Sequence, residues 1–358
     1  MQEHFFKDLR VIELAGILAG PSVGYFFAEL GAEVIKIENP KTKGDITRSW
    51  KLKTEDPSQP DSAYYWSVNA FKKTLFLDLS LEKDKNQLYA LLPSADLIIT
   101  NFKKGDDKKL GVDYNTLSAM RPELVYASIN GFGNDSPRSA YDLILQAESG
   151  FMAMNGSKEG EALKMPVALI DLLAGHQLKE AILMALIKKL KTGKGSHISV
   201  SLFDSAIASL ANQATNWLQA GHLPKAMGSL HPNIAPYGEV FESKDHQYFT
   251  LAIGSNAQFQ ALCELLEYRE LASDKRFVNN PSRVKNRTEL YAILYNYFHA
   301  LPFEHLYTQC AKRQIPVGKI RNLKDVFELP EAKNMLRKFS SGKETKTVVS
   351  SLAFKFHT

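Results

Sequence analysis

Over the first 200 residues, short apolar runs alternate with stretches in which apolar residues recur every three or four positions. The runs at 9–14 (LRVIEL), 33–38 (EVIKIE), 74–79, 96–100, 124–129 and 197–202 predict strands. The periodic stretches at 20–31, 81–92, 114–120, 142–153 and 171–191 predict helices. Pro21 falls in the first turn of the first helix, Gly31 lies at its end, and Thr192-Gly193 closes the last. Regular alternation of this kind predicts an α/β fold, a doubly wound, Rossmann-like parallel sheet.

A helical stretch after Phe203 is polar enough to run along a surface as a connector over 204–222. From about 223 Pro, Gly and His cluster, and two β-like runs lead into helical patterns at 256–266 and 285–299, with one further helix after 302. These features predict a large α/β domain over 1–203, completed by about 320–358, and a smaller α+β domain with its return linker over 223–319. The tail, SSGKETKTVVSSLAFKFHT, is expected to return as an edge strand.

Composition narrows the chemistry. The 358 residues are 44% hydrophobic and 23% charged, which is ordinary for a soluble globular protein and enough for two cores. No run of about 18 uncharged apolar residues is present, so no membrane span is expected. The N-terminus has no apolar leader pattern, and a cytoplasmic location is the expectation. Cys263 and Cys310 stand alone, and the nine His never pair at helical spacing, so no metal is expected. The net charge of +5 comes partly from pairs such as Lys72-Lys73, Lys103-Lys104 and Lys108-Lys109. Such pairs are either a solvated face or a site for a phosphate-bearing anion. No nucleic-acid-binding signature accompanies them.

Asp171 is the only ionisable residue in the apolar run at 165–175, MPVALIDLLAG. Burial there raises a carboxyl pKa and makes the group a candidate for chemistry. It also stands where a helix begins, and an Asp N-cap needs no chemistry. Both readings remain open from the residues alone. The turn after the first strand, AGILAGP, lacks the GxGxxG spacing of a dinucleotide site, although Glu38 stands near the position of a ribose-binding acid.

Several segments in order carry a resemblance: LAGILAGP (14–21), LGAEVIKIE (30–38), GDITR (44–48), NAFKKT (69–74), ADLIITNF (95–102), GFG (131–133), YDLILQA (141–147), the Asp171 run and HPNIAPYG (231–238). Together they resemble the class III CoA-transferases, which include formyl-CoA and carnitine CoA-transferases (the CaiB/BaiF group) and the related alpha-methylacyl-CoA racemases. The resemblance runs from about residue 8 to about residue 335. It implies that Asp171 is the nucleophile, forming an aspartyl anhydride and then an aspartyl-CoA thioester, with acyl-CoA and a carboxylic acid as the partners. It further implies a CoA site at Asn101 and Phe102, with Arg48, Lys72, Lys73 and Lys109 as cations for phosphate, and an acyl pocket near Leu18, Tyr141, Asp142 and His231. The loop at 231–238 would cover the site. An interlocked homodimer is implied as well.

Two departures bear on specificity. Leu18 stands where formyl-CoA transferases carry Gln, which argues against formyl or oxalate specificity. Tyr141 stands where the racemases carry His, and a phenol is a poor base at neutral pH. Transferase is therefore favoured over a racemase or epimerase, and a CoA-binding homologue without catalysis is the alternative outside enzymes.

Overall fold

A computed structural model describes residues 4–157, 160–342 and 344–356, and the chain divides into two compact units. The larger comprises residues 1–152, 164–224 and 333–358, and the smaller comprises 153–163 and 225–332. The 204–222 segment thus belongs to the larger unit, and a short stretch before Asp171 joins the smaller one.

In the larger unit the strands are β1 (Arg10–Leu14), β2 (Glu33–Glu38), β3 (Lys73–Phe76), β4 (Leu97–Thr100), β5 (Val125–Asn130) and β6 (Ser196–Ser201). They form one parallel sheet in the order β3-β2-β1-β4-β5-β6. The helices are α1 (Ala19–Glu29), α2 (Ala63–Asn69), α3 (Glu82–Leu91), α4 (Asp106–Leu110), α5 (Tyr114–Met120), α6 (Asp142–Glu148), α7 (Phe151–Met154, whose last two residues fall in the smaller unit), α8 (Leu169–Thr192), α9 (Leu202–Ala208) and α10 (Ala211–Ala220). β4 is buried at every position, as apolar runs covered on both faces must be. β3 is one edge of the sheet, and Leu75 and Phe76 are exposed there.

Helix α8 is the spine of the unit. Its buried residues Ile170, Ala174, Leu178 and Ile182 share one core with Val23 and Phe27 of α1. Gly175 makes this approach possible, because a Cβ there would strike Ser22 Oγ and crowd the carbonyl of Ala19. The starts of α1 and α8 are thereby held side by side.

Three expectations need correction. The helix expected at 142–153 is two helices, α6 and α7, broken at Gly150, whose φ of 87° is left-handed. The connector is likewise two helices, interrupted between Ser209 and Leu210 with Ala211 at φ 46°. The tail adds no edge strand to the main sheet. It forms an antiparallel hairpin of β10 (Leu336–Ser341) and β11 (Glu344–Val349). Buried Glu29 at the end of α1 anchors it, accepting from Ser350 Oγ, from Ser351 N and Oγ at 2.8 Å each, and pairing with Arg337 at 3.1 Å.

The smaller unit has a sheet in the order β7 (Tyr237–Glu242), β8 (Tyr248–Ala252) and β9 (Val317–Lys319). Its core joins Phe241 and Phe249 to Leu262, Leu294, Phe298 and Phe303 of the helices Asn256–Leu265, Arg287–His299 and Phe303–Lys312. Cys263 and Cys310 are buried thiols of this core, and burial pushes both up, to about 12 and about 11.

Glu29→Ala leaves the hairpin's donors without their acceptor, and we expect a loss of about 2–4 kcal/mol in urea denaturation. Limited proteolysis should then cut first within residues 333–356; an unchanged cleavage pattern would contradict the anchoring role.

Candidate active site

Asp171 is not the cap of its helix. α8 begins two residues earlier, and its N-cap is Ala168, which has no side chain able to accept. The acceptor comes from α6 instead: Asp142 Oδ1 takes the N–H of Ile170 at 2.7 Å and, more weakly, that of Asp171 at 3.4 Å. Asp142 Oδ2 accepts from Gln146 Nε2 at 2.6 Å, and buried Gln146 accepts from Met165 N at 2.8 Å. The segment entering α8 is thus tied to α6 at two points.

With capping delegated, the Asp171 carboxylate keeps its own oxygens. It is 8% exposed, and among the described residues nothing donates a hydrogen bond to those oxygens. Burial first, and the nearby Asp142 charge second, push it up to about 7. The partial positive charge at the start of α8 favours an anion there, so ionisation in neutral solution stays within reach. A desolvated carboxylate of this kind can act as a nucleophile or as a proton carrier.

Sequence reasoning missed Tyr64 and Trp50. The half-buried Tyr64 phenol is pushed up by burial and then by Asp171, Asp142 and Asp45, so it shares this acidic setting. Trp50 meets its ring edge-on at 5.1 Å. The signal available was the aromatic run 64–66 after Ser62, which caps α2 by accepting from Tyr65 N. Tyr141 precedes Asp142 and its side chain is exposed. Leu18 is buried at the start of α1, in a small cluster against which Ala168 packs.

At the strand C-terminal ends, a cleft of about 210 Å³ is lined by Ala15, Gly16, Ile37, Asn39, Leu79 and Phe102, among others. Doubly wound sheets bind ligands at this end. Asn101 holds the β1–α1 turn, donating to Gly16 O at 2.8 Å and accepting from Gly16 N at 3.0 Å.

Three of the expected phosphate cations are corrected. Lys72 is buried against Glu13 at 2.8 Å and also donates to Pro21 O and Asn69 Oδ1. Arg48 grips Glu38 through two nitrogens, pairs with Asp61 and lies over the Tyr65 ring at 3.9 Å. Both are committed to internal carboxylates, which also occupies Glu38. Lys109 is exposed, with Asp106 as a solvated partner, whereas the exposed Lys73 pairs with Glu33 at the N-terminal ends of β3 and β2, the end of the sheet opposite the cleft.

His231 lies in the smaller unit, its ring 5.0 Å from that of Tyr237 and its Nδ1 accepting from Asn233 N. Its loop is pinned by Arg287, which donates to His231 O and Ile234 O, and by fully buried Arg283, which donates to Ala235 O. Among the described residues no cluster of His, Cys, Asp or Glu could hold a metal, and no helix is long and apolar enough to cross a membrane.

A doubly wound sheet with a desolvated aspartate at the start of its longest helix has the chemistry to support acyl or proton transfer. The chain belongs to CoA-transferase family III, whose model matches residues 6–358. It is similar to the succinate–glutarate CoA-transferase of Agrobacterium fabrum, 37% identical over 91% of this chain and 82% of that protein. It is also similar to the human succinyl-CoA:glutarate CoA-transferase, 34% identical over 91% of this chain and 74% of the other. The solved structure of a CAIB/BAIF family protein from Brucella suis is 39% identical, covers 97% of this chain and 91% of its own, and superposes with a TM-score of 0.85. The chain is therefore a CoA-transferase.

The Asp171 carboxyl, with its folded value near 7 against 3.8 in a free chain, holds a proton in the folded state that the unfolded chain has already released between those values. Its cost is absent below about pH 4 and grows as pH rises to 7. Asp171→Asn should therefore be more stable than wild type at pH 8, by about 2–4 kcal/mol in urea denaturation, with the gap closing near pH 4. Equal stabilities at pH 8 would contradict the burial of the charge.

Proposed function

We propose that this enzyme moves CoA between short dicarboxylic acids, with Asp171 as the nucleophile. The observation that carries the reading is an aspartate buried near a second carboxylate, Asp142, which caps the helix in its place and leaves both Asp171 oxygens uncommitted. The names of the relatives, acting on succinate and glutarate, support the acid class.

In the reaction the Asp171 carboxylate attacks the thioester carbonyl. A C–O bond forms, the C–S bond breaks, and CoA thiolate leaves an acyl-aspartyl anhydride. The thiolate then attacks the aspartyl carbonyl, releasing the first acid as a carboxylate and leaving aspartyl-CoA thioester. The acceptor carboxylate displaces CoA to give a second anhydride, and thiolate attack on the acyl carbonyl yields the new acyl-CoA and free Asp171. Each step keeps an activated acyl group and needs no net proton transfer. Asp142 fixes the helix that carries the nucleophile, and its charge raises the basicity of the attacking oxygen.

Phe102 in the lining of the strand-end cleft suits an adenine ring, and exposed Lys109, next to Leu110 of that lining, can meet phosphates. Tyr64 and Trp50 offer the acyl group an aromatic wall. We assign the protein to a homodimer as well. Met184, Ile187 and Leu190 form an exposed stripe along α8, where Leu190 is 87% exposed, and Trp217 and Leu218 are exposed on α10.

Transfer from succinyl-CoA to glutarate, followed by chromatography, tests the reading. Asp171→Ala should lower turnover on the order of 10³-fold or more while CoA still binds; retained turnover would overturn it. Turnover of the wild type should rise with pH as the Asp171 carboxyl ionises near 7. Asp142→Asn, which keeps an acceptor for Ile170 N and removes the charge, should move that limb to lower pH.

A further inference from the structure

Ile17 has φ 71°, a left-handed backbone that a β-branched residue occupies only when its surroundings impose it. The imposing groups are charged and buried. Asp45 takes the N–H of Ile17 at 3.1 Å, and the Asp45 carboxylate is held by Lys36 Nζ at 3.1 Å. The same ammonium donates to Ala15 O at 2.7 Å and to Glu13 at 3.0 Å. The Lys36, Glu13 and Asp45 side chains are each 1% exposed or less, so nothing in solvent substitutes for these partners.

The turn so held has two working faces. Ala15 and Gly16, with Lys36 and Asp45 themselves, line the strand-end cleft. Ile17 and Leu18 belong with the cluster against which Ala168 packs, one residue before α8. A shift in this turn therefore reaches both the cleft and the start of the helix that carries Asp171.

We propose that Lys36 and Asp45 are positioning residues for CoA transfer, latching the Ile17 turn in its left-handed form so that cleft and nucleophile keep their relative placement. This inference rests on the functional reading above. The ion pair touches no reacting atom; it acts through the turn. Removal of the Asp45 acceptor lets Ile17 return to a right-handed or extended backbone, whereas glycine at that position has no such preference.

Amide hydrogen exchange at Ile17, which needs no turnover, separates this inference from the functional reading, and kinetics of the full chain complete the test. Asp45→Ala should speed Ile17 exchange and lower kcat by about tenfold or more, with KM for the acyl-CoA changed far less. Adding Ile17→Gly to Asp45→Ala should recover much of the lost kcat, because glycine takes the left-handed form unaided. Unchanged exchange, a loss confined to KM, or a double variant no faster than Asp45→Ala would each overturn the latch. If Asp45→Ala does not fold, Asp45→Asn tests the Lys36 half of the latch: it keeps an acceptor for Ile17 N and loses the charge that Lys36 holds, so Ile17 exchange should still speed and kcat still fall, each by less, and unchanged values would overturn the latch. A wild type that transfers no CoA while Asp45→Ala still speeds exchange would sink the functional reading and leave the latch as a structural fact.

Discussion

The hydrogen bond from Ile170 N to Asp142 is the contact on which the proposed chemistry depends. A helix that begins with a desolvated carboxylate ordinarily spends that carboxylate on its own orphan amides. Here a carboxylate from another helix does the capping, so Asp171 stays unbonded and basic. The same Asp142 charge opposes ionisation of its neighbour, and the start of the helix favours it. The balance leaves a carboxyl poised near neutrality, which is a cost in stability accepted where a reaction needs it.

Holding such a site in place requires rigid surroundings, and the larger unit supplies them with charges buried in pairs. Glu13 on β1 receives both Lys36 and Lys72, and Gly24 on α1 makes room for it, since a Cβ there would collide with the Glu13 carboxylate. Burial alone would lower Lys36, yet Glu13 and Asp45 hold it above its ordinary value; Lys72, buried with fewer acids, falls to about 8. Breaking one partner of such a pair leaves an uncompensated charge, which makes these pairs geometric constraints more than sources of stability. Glu29 does the same for the C-terminal hairpin.

Much of the fold was legible in the sequence because local periodicity encodes it. The strand runs fall within a residue or two of β1, β2, β4, β5 and β6, and the single acid in the 165–175 run pointed to Asp171. Charge pairing was not legible, because it joins distant positions. Lys72 meets Glu13 across 59 residues, so a lysine that looked free for phosphate is an internal strut. Arg48 differs only in having Glu38 and Asp61 nearby in sequence. The cap of α8 comes from 28 residues away, and so Asp171 itself looked like the cap. Tyr64 was hidden for a similar reason, as only tertiary packing brings it toward three carboxylates.

In the proposed reaction the Asp171 carboxyl is joined first through an oxygen to the acyl carbon and then through its carbonyl carbon to the CoA sulfur. Incubation of the full chain with succinyl-CoA, trapping with hydroxylamine or borohydride, and peptide mass spectrometry test it most directly. A modification confined to Asp171, in the peptide spanning 165–179, is expected. Modification at another residue, or an unmodified Asp171 during ongoing transfer, would contradict it.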